Sequence, residues 1–346
     1  MRSFRAAALL AGLVLCSCAA VPESSSVQES SAVNETEPET EAETEPDTQE
    51  ETISPAEAAR EKQHEAILQK AEETAGYYRE IGIDIPDIEP VCIMTKTAKS
   101  GSQWSYDTSH EYALLDRYDR RIGAIHDSGA VTFTQVYDYD EDGNVVTAYY
   151  LTTGTAYVIN YEYEDGALRS AVFDLVSPGS GEEPYRYCTQ VYDEHGQCVR
   201  SEVNTEKYIM PDLVGSTWDI EYSEDGDPLV IREYIEDKLM CETVQEYNGS
   251  GQLSNKHVEY YGGTHDGERY YTSYDEEYTY LSGGFAEGLL RQTKHISEFG
   301  EVDYYEYSYD TPTRLRSEKY SRQDDILNDL SWYYMADYQY EEISAG

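Results

Sequence analysis

"VYDYDEDGNVV", residues 136–146, can be read as a metal loop or as a hairpin turn. Asp138, Asp140 and Asp142 lie two apart and Gly143 follows, which is how a twelve-residue calcium loop begins. Such a loop needs a bidentate Glu at its twelfth position, where this chain has Tyr149. The flanks alternate apolar and polar residues as strands do. A complete EF-hand is excluded, and the spacing supports at most a weak cation site at Asp138, Asp140 and Asp142. The second reading is a turn, with Asp142-Gly143 set between two alternating runs.

The turn recurs down the chain. Its frame, Tyr-[Asp/Asn/Ser]-x-x-Gly-x-apolar from Tyr139 to Val145, is met in full at Tyr192–Cys198 and Tyr247–Leu253. The copy from Tyr222 has its apolar residue, Leu229, one place late, and Tyr163–Leu168 is one residue short. Ile296–Val302 has Ile for Tyr, and Tyr309–Leu315 lacks the Gly. In "AYVINYEYEDGALRSAVFDLV" (156–176), Tyr157, Ile159, Tyr161 and Tyr163 point one way, Asp165-Gly166 turns, and a second alternating run returns. Over roughly 130–320 these units resemble the YD-repeat (Rhs-like) family of bacterial surface and secreted proteins. The resemblance implies an exported chain of Tyr-Asp hairpins, in a family with modules that contact carbohydrate. Each hairpin is weak alone and pairs with the next. The expected fold is mainly β: an antiparallel meander of repeated hairpins over 91–343, forming a twisted, curled sheet. Its edge strands would need a cover, such as the helix that precedes it.

That helix begins at Ser54-Pro55-Ala56-Glu57, an N-cap, a first-turn proline and a capping-box glutamate. Ile67, Ala71, Ala75, Tyr78 and Ile81 follow on one face, and Gly82 is placed to stop it. The region 54–90 is therefore one amphipathic helix and a proline-bearing connector.

The N-terminus carries an address. Arg2 and Arg5 precede an apolar run from Ala6 to Leu15, too short to span a bilayer. Leu15-Cys16-Ser17-Cys18 resembles a bacterial lipobox, which implies a signal peptide at 1–17 and lipid attachment at Cys18. Cys16 follows bulky Leu15 and does not fit as the lipidated residue. Residues 18–53 then form an acidic tether: from Glu23 to Glu51 there are eleven acidic residues and no Lys or Arg. Such a segment cannot bury enough apolar surface to order itself. The expected location is extracytoplasmic, on a lipid anchor at the bacterial cell membrane.

The formal net charge of −44 argues against nucleic acid and against adsorption to anionic lipid. There are 35 Tyr against 5 Phe and 3 Trp, a skew that suits sheets with much solvated surface. Clusters such as "GERYYTSYDEEYTY" (267–280), "DYYEYSYD" (303–310) and "SWYYMADYQY" (331–340) interleave rings with carboxylates. Sugars suit that mixture, and the candidate glycan contacts are Tyr270, Tyr271, Tyr304, Tyr305, Trp332, Tyr333 and Tyr334. The same alternation also stabilises a solvated sheet through cross-strand pairs. The seven histidines show no metal-ligand spacing, and neither a nucleophile elbow nor a phosphate loop occurs. No catalytic motif is found and no cofactor is expected beyond weak calcium. The expected function is a membrane-anchored binding or scaffold module for carbohydrate or cell-wall glycan. Its alternatives are an accessory protein for another exported protein and a carboxylate-dependent glycan hydrolase. Cys92, Cys188, Cys198 and Cys241 allow two bridges or four free thiols.

Overall fold

The computed structural model describes residues 55–102, 105–127, 132–152, 154–177, 183–204, 215–265, 268–323 and 333–343. Cys18, the tether and the Ser54 cap lie outside the described residues. The chain divides into two units, Met1–Glu65 and Ala66–Gly346. The described part of the first is the opening of helix α1 (Pro55–Glu80). The second carries the rest of α1 and eighteen strands.

The strands are β1 (Cys92–Ser102), β2 (Ser105–Leu115), β3 (Arg121–Asp127), β4 (Thr132–Tyr139), β5 (Val145–Leu151) and β6 (Ala156–Glu164). Next come β7 (Ala167–Val176), β8 (Tyr185–Tyr192), β9 (Cys198–Val203), β10 (Ser216–Tyr222), β11 (Pro228–Ile235) and β12 (Lys238–Tyr247). The last are β13 (Leu253–His265), β14 (Glu268–Tyr280), β15 (Leu290–Ser297), β16 (Val302–Thr311), β17 (Arg314–Gln323) and β18 (Tyr333–Glu342). Each pairs antiparallel with the next. β18 then pairs with β1, from Cys92↔Glu342 to Gly101↔Tyr333. The meander is therefore a closed up-and-down barrel, where the sequence predicted a curled sheet with edges to cover. Open sheets of this length rarely persist, and closure pairs the two edges that an open meander would expose. The shortest junction is β9–β10, with two residue pairs, Ser216↔Ser201 and Thr217↔Arg200.

Side chains alternate between two faces, and burial says which is inside. Ala113, Ala124, Gln135, Ala148, Phe173, Cys188, Gln190, Val258 and Ala336 share one face by register and are buried. That face is the lumen. Outside are Glu221, Glu277, Glu306, Lys319 and Asp337, all exposed.

From Ala66 onward, α1 lies against the outer wall. Ile67 and Ala71 pack with Ile93, Leu114 and Ile125, and Ala75 and Tyr78 pack with Val136, Leu151 and Ala156. Each large side chain so buried stabilises the fold by about 1.5–3 kcal/mol. The helix thus covers an apolar strip of wall, not an edge. The Tyr78 hydroxyl donates to the Thr152 carbonyl at 2.5 Å, and burial pushes its pKa up to about 12. Gly82 ends the helix: its N–H donates to Arg79 O, Ile83 N–H donates to Tyr78 O, and its φ is +96°. Ile81, expected on the buried face, falls beyond the helix end and is 43% exposed.

The repeated turn has one geometry. Asp116, Asp140, Asp193, Ser223, Asn248 and Ser297 each accept, through a side-chain oxygen, the N–H four residues on, at 2.8–3.2 Å. The residue three on (Asp119, Gly143, Gly196, Gly226, Gly251 or Gly300) has positive φ. This is a type I turn closed by a left-handed residue. Five of these turns lie at one end of the barrel, where short turns connect β2 to β3, β4 to β5 and so on. The Ser297 turn joins β15 to β16 and so lies at the opposite end, out of phase with the other copies. At the remaining two copies, Asp165-Gly166 and Pro312-Thr313 make two-residue turns.

The tyrosine of the frame has its own work. Tyr139 donates its hydroxyl to Arg121 O (2.8 Å), Tyr163 to Val145 O (3.2 Å) and Tyr247 to Pro228 O (3.1 Å). Tyr280, which stands outside the frame, reaches Leu253 O (2.8 Å), and Tyr309 reaches Leu290 O (2.9 Å). Each acceptor is the first residue of the preceding strand. These five tyrosines each tie a hairpin to the one before it at the short-turn end, whereas the frame tyrosine Tyr192 donates to Gln190 Oε1 on its own strand at 2.8 Å.

Candidate functional site

The lumen wall from β12 to β18, with β1, is where polar chemistry concentrates. Lys256 on β13 faces Glu276 on β14, with Nζ 3.1 Å from Oε2. Tyr278 donates to the same oxygen at 2.5 Å, and His295 Nδ1 lies 3.6 Å from Oε1. The ammonium sits 5.7 Å from the Tyr274 ring centre, and the Tyr274 and His295 rings meet at 4.5 Å with a tilt of 37°. Burial pushes the Glu276 carboxyl up, but the Tyr278 hydroxyl and Lys256 outweigh it and hold the group low. It is ionised at neutral pH.

A second group of the same composition stands on β1, β17 and β18. Lys96 Nζ is 3.4 Å from Glu318 Oε2, and Tyr338 donates to that oxygen at 3.1 Å. The ammonium lies 5.7 Å from the Tyr334 ring centre and 5.4 Å from that of Tyr338. Burial pulls its pKa down, yet the Tyr334 and Tyr338 hydroxyls and Glu318 raise it overall, so Lys96 stays charged.

Between the two groups runs a lateral row of register partners: Tyr278↔Thr293↔Tyr305↔Tyr320↔Tyr334. The four tyrosines are half-buried, and the Tyr305 and Tyr320 ring centres are 5.1 Å apart. Tyr260, also inward by register but opposite Thr272, six residues along β14 from Tyr278, is 40% exposed, so solvent reaches the lumen at that level. Across the lumen wall of β4–β8 the packing is tighter. There Tyr157 and Phe173 meet the Tyr187 ring edge-on at 5.8 and 5.9 Å, and burial raises Tyr137 and Tyr187 far above an ordinary phenol.

Of the glycan contacts expected from sequence, Tyr305 and Tyr334 lie in the lumen row. Tyr304 points to the outer wall, because neighbours on a strand face opposite ways. Trp332 and the side chains of Tyr270, Tyr271 and Tyr333 lie outside what is described. Tyr278, Tyr320, Lys96, Lys256, Glu276 and Glu318 were not singled out. The signal for part of them was Tyr274-x-Glu276-x-Tyr278, whose period of two places all three on one face.

The three aspartates of the opening stretch separate. Asp140 closes its turn, accepting Asn144 N–H and Nδ2 at 2.8 and 3.0 Å, and these bonds hold its carboxyl low. Asp138 faces out from β4 opposite Thr147, and Asp142 is exposed in the turn. Among the described residues no group of three or more His, Cys, Asp or Glu is placed to hold a metal ion. Cys92, Cys188, Cys198 and Cys241 form no disulfide and all face inward. Cys188 stands opposite Val203 and Cys198 opposite Tyr192, which keeps the two apart along their hairpin. On the outer wall a depression of about 310 Å³ surrounds His257 and Asp275, whose Nδ1 and Oδ1 are 2.7 Å apart. Both are about half exposed, so water screens the pair.

No protein family and no curated protein matches the chain. Among solved structures it is similar to a porin-like protein from Bacteroides uniformis, at 14% identity over 74% of this chain and 100% of that one, with a TM-score of 0.34. It is also similar to a LolA superfamily protein from Nitrosomonas europaea, at 10% identity over 82% and 94%, with a TM-score of 0.20. A third is the MucA/MucB complex of Pseudomonas aeruginosa, at 9% identity over 72% and 89%, with a TM-score of 0.11. Likeness at this level leaves the lumen to be read from its own side chains.

Proposed function

We propose that this chain is an exported, lipid-tethered binding barrel whose lumen takes a carbohydrate. The observation behind this is the inner wall of β13–β18 and β1, where half-buried tyrosines alternate with Lys–Glu pairs within reach of solvent. Ring faces stack on the C–H faces of a sugar, and the paired ammonium and carboxylate groups bond its hydroxyls. The outer wall is charged, with Arg232 held between Glu221 and Glu242 and Lys294 at 3.0 Å from Glu277. Charges on an outer wall are costly at bilayer depth. A barrel of this kind stands in water, and its membrane contact comes through Cys18 and the tether.

A binding role is favoured over hydrolysis by the direction of the carboxylate shifts. Glu276, the one of the lowered carboxylates that lies in the lumen, is held low, whereas a glycosidase acid must be held high. A second reading, strand pairing with another exported protein, has one observation behind it: β9 and β10 share only two residue pairs.

The test is a glycan array probed with the exported chain, alongside metabolic labelling with a clickable palmitate. Retention on a defined glycan class, and a label abolished by Cys18→Ala, are the expected results. An array without signal overturns the carbohydrate reading, and an unlabelled chain overturns the anchor.

A further inference from the structure

We infer that the lumen binds an extended, uncharged oligosaccharide along its tyrosine row, not a single sugar. This rests on the carbohydrate reading above and narrows it. Tyr278, Thr293, Tyr305, Tyr320 and Tyr334 are consecutive register partners across β14–β18, all on the inner face. Four strand spacings of about 4.8 Å carry the row over roughly 19 Å of wall. One ring face and one polar pair would serve a monosaccharide. Here three consecutive tyrosines, and a fourth beyond Thr293, line one row, which matches a ligand that repeats its own apolar faces.

The ends of the row are equipped alike. At one end Tyr278 donates to Glu276, which pairs with Lys256. At the other Lys96 lies over the Tyr334 ring and pairs with Glu318. Each lysine is matched by its own glutamate, and Asp303, which accepts the Tyr320 hydroxyl at 3.0 Å, adds a carboxylate beside the row, so the wall offers no excess positive charge to an anionic ligand. The whole chain, at −44, repels polyanions. Hydroxyls and amides of a neutral chain are what such balanced pairs bond.

The experiment is titration calorimetry of the full chain with two neutral series, β-1,4-linked N-acetylglucosamine and β-1,4-linked glucose, from one to six units. In at least one series, affinity should rise tenfold or more from monomer to tetramer and then level off. Tyr320→Leu should lose that gain while Tyr320→Phe, which keeps the ring, retains it. Circular dichroism and thermal unfolding of each variant establish that the barrel is intact. Equal affinity for monomer and hexamer overturns the inference but leaves carbohydrate binding standing. So does an array on which only anionic glycans bind. An array with no signal overturns both.

Discussion

Arg314, the first residue of β17, places Nη2 2.7 Å from Oδ1 of Asp119, in the turn between β2 and β3. The two are 195 residues apart in the chain, and β18 and β1 run between them. Thr313 adds a hydroxyl bond to Asp119 Oδ2 at 2.7 Å, and the same guanidinium reaches Glu342 Oε1 at 2.9 Å on β18. This clasp sits at the short-turn end, directly over the strand pair that closes the barrel.

Asp119→Asn should lower stability by about 1–3 kcal/mol at pH 7, as expected for a charge-assisted bond that is mostly shielded from water. Asn tolerates the left-handed conformation at this position, where φ is 59°, so the turn survives and only the charge is lost. The Arg314 bonds hold the Asp119 carboxyl below the ordinary carboxylate range. Its contribution is therefore complete above the unfolded value, near pH 4, and fades as pH falls through the lower folded value. Urea titrations at pH 7 and along the acid limb should show the gap between wild type and variant closing below about pH 4.

The tyrosine ties predict a graded loss. Tyr139→Phe and Tyr247→Phe keep the ring and leave one carbonyl each without its donor, at a cost of about 1 kcal/mol apiece. The two sites share no partner, so the double variant should lose the sum to within about 0.5 kcal/mol. Denaturant midpoints at constant m-value are the measurement.

At Gly251, φ is +75° and a Cβ would meet nothing within 4 Å. Gly251→Ala should then cost only the conformational penalty, roughly 1–2 kcal/mol, and Gly251→Asn distinctly less. Equal losses in the two variants would mean that contact, not backbone conformation, selects glycine there.

Hydrogen exchange should find the barrel weakest between β9 and β10. Among the described residues the side of β10 that faces β9 has no register partner beyond Thr217, so those amides between Trp218 and Tyr222 that point toward β9 and not β11 should exchange early. Amides of β1 and β18, paired over their length, should be among the slowest.

The hairpins and their turns were legible in the sequence because both are local. A Tyr-Asp frame, a glycine at the left-handed position and alternation of period two specify contacts between two neighbouring strands, within one repeat. Closure was not legible, because Cys92↔Glu342 joins residues at opposite ends of the domain and no local pattern announces it. The turn at Asp116 was missed since Leu115 replaces the tyrosine and Asp119 the glycine, although the backbone geometry is the same. For the site, adjacent pairs such as Tyr304-Tyr305 drew attention, yet a strand sends one of each pair out. Lys96 and Glu318 meet only through the β1–β18 and β17–β18 pairings, which a linear reading cannot supply.

Closure is the claim on which the lumen depends, and a cross-link tests it most directly. Thr97 on β1 and Asp337 on β18 are outward-facing register partners. Antiparallel partners have Cα atoms about 4.5–5.5 Å apart, within disulfide reach. In the Thr97→Cys/Asp337→Cys chain, mild oxidation under native conditions should join the two residues, as read by peptide mass mapping. Thr97→Cys/Glu306→Cys, with its second site outward on β16, should stay unjoined. A first pair that links only after unfolding, or no more readily than the second, would contradict the closed barrel.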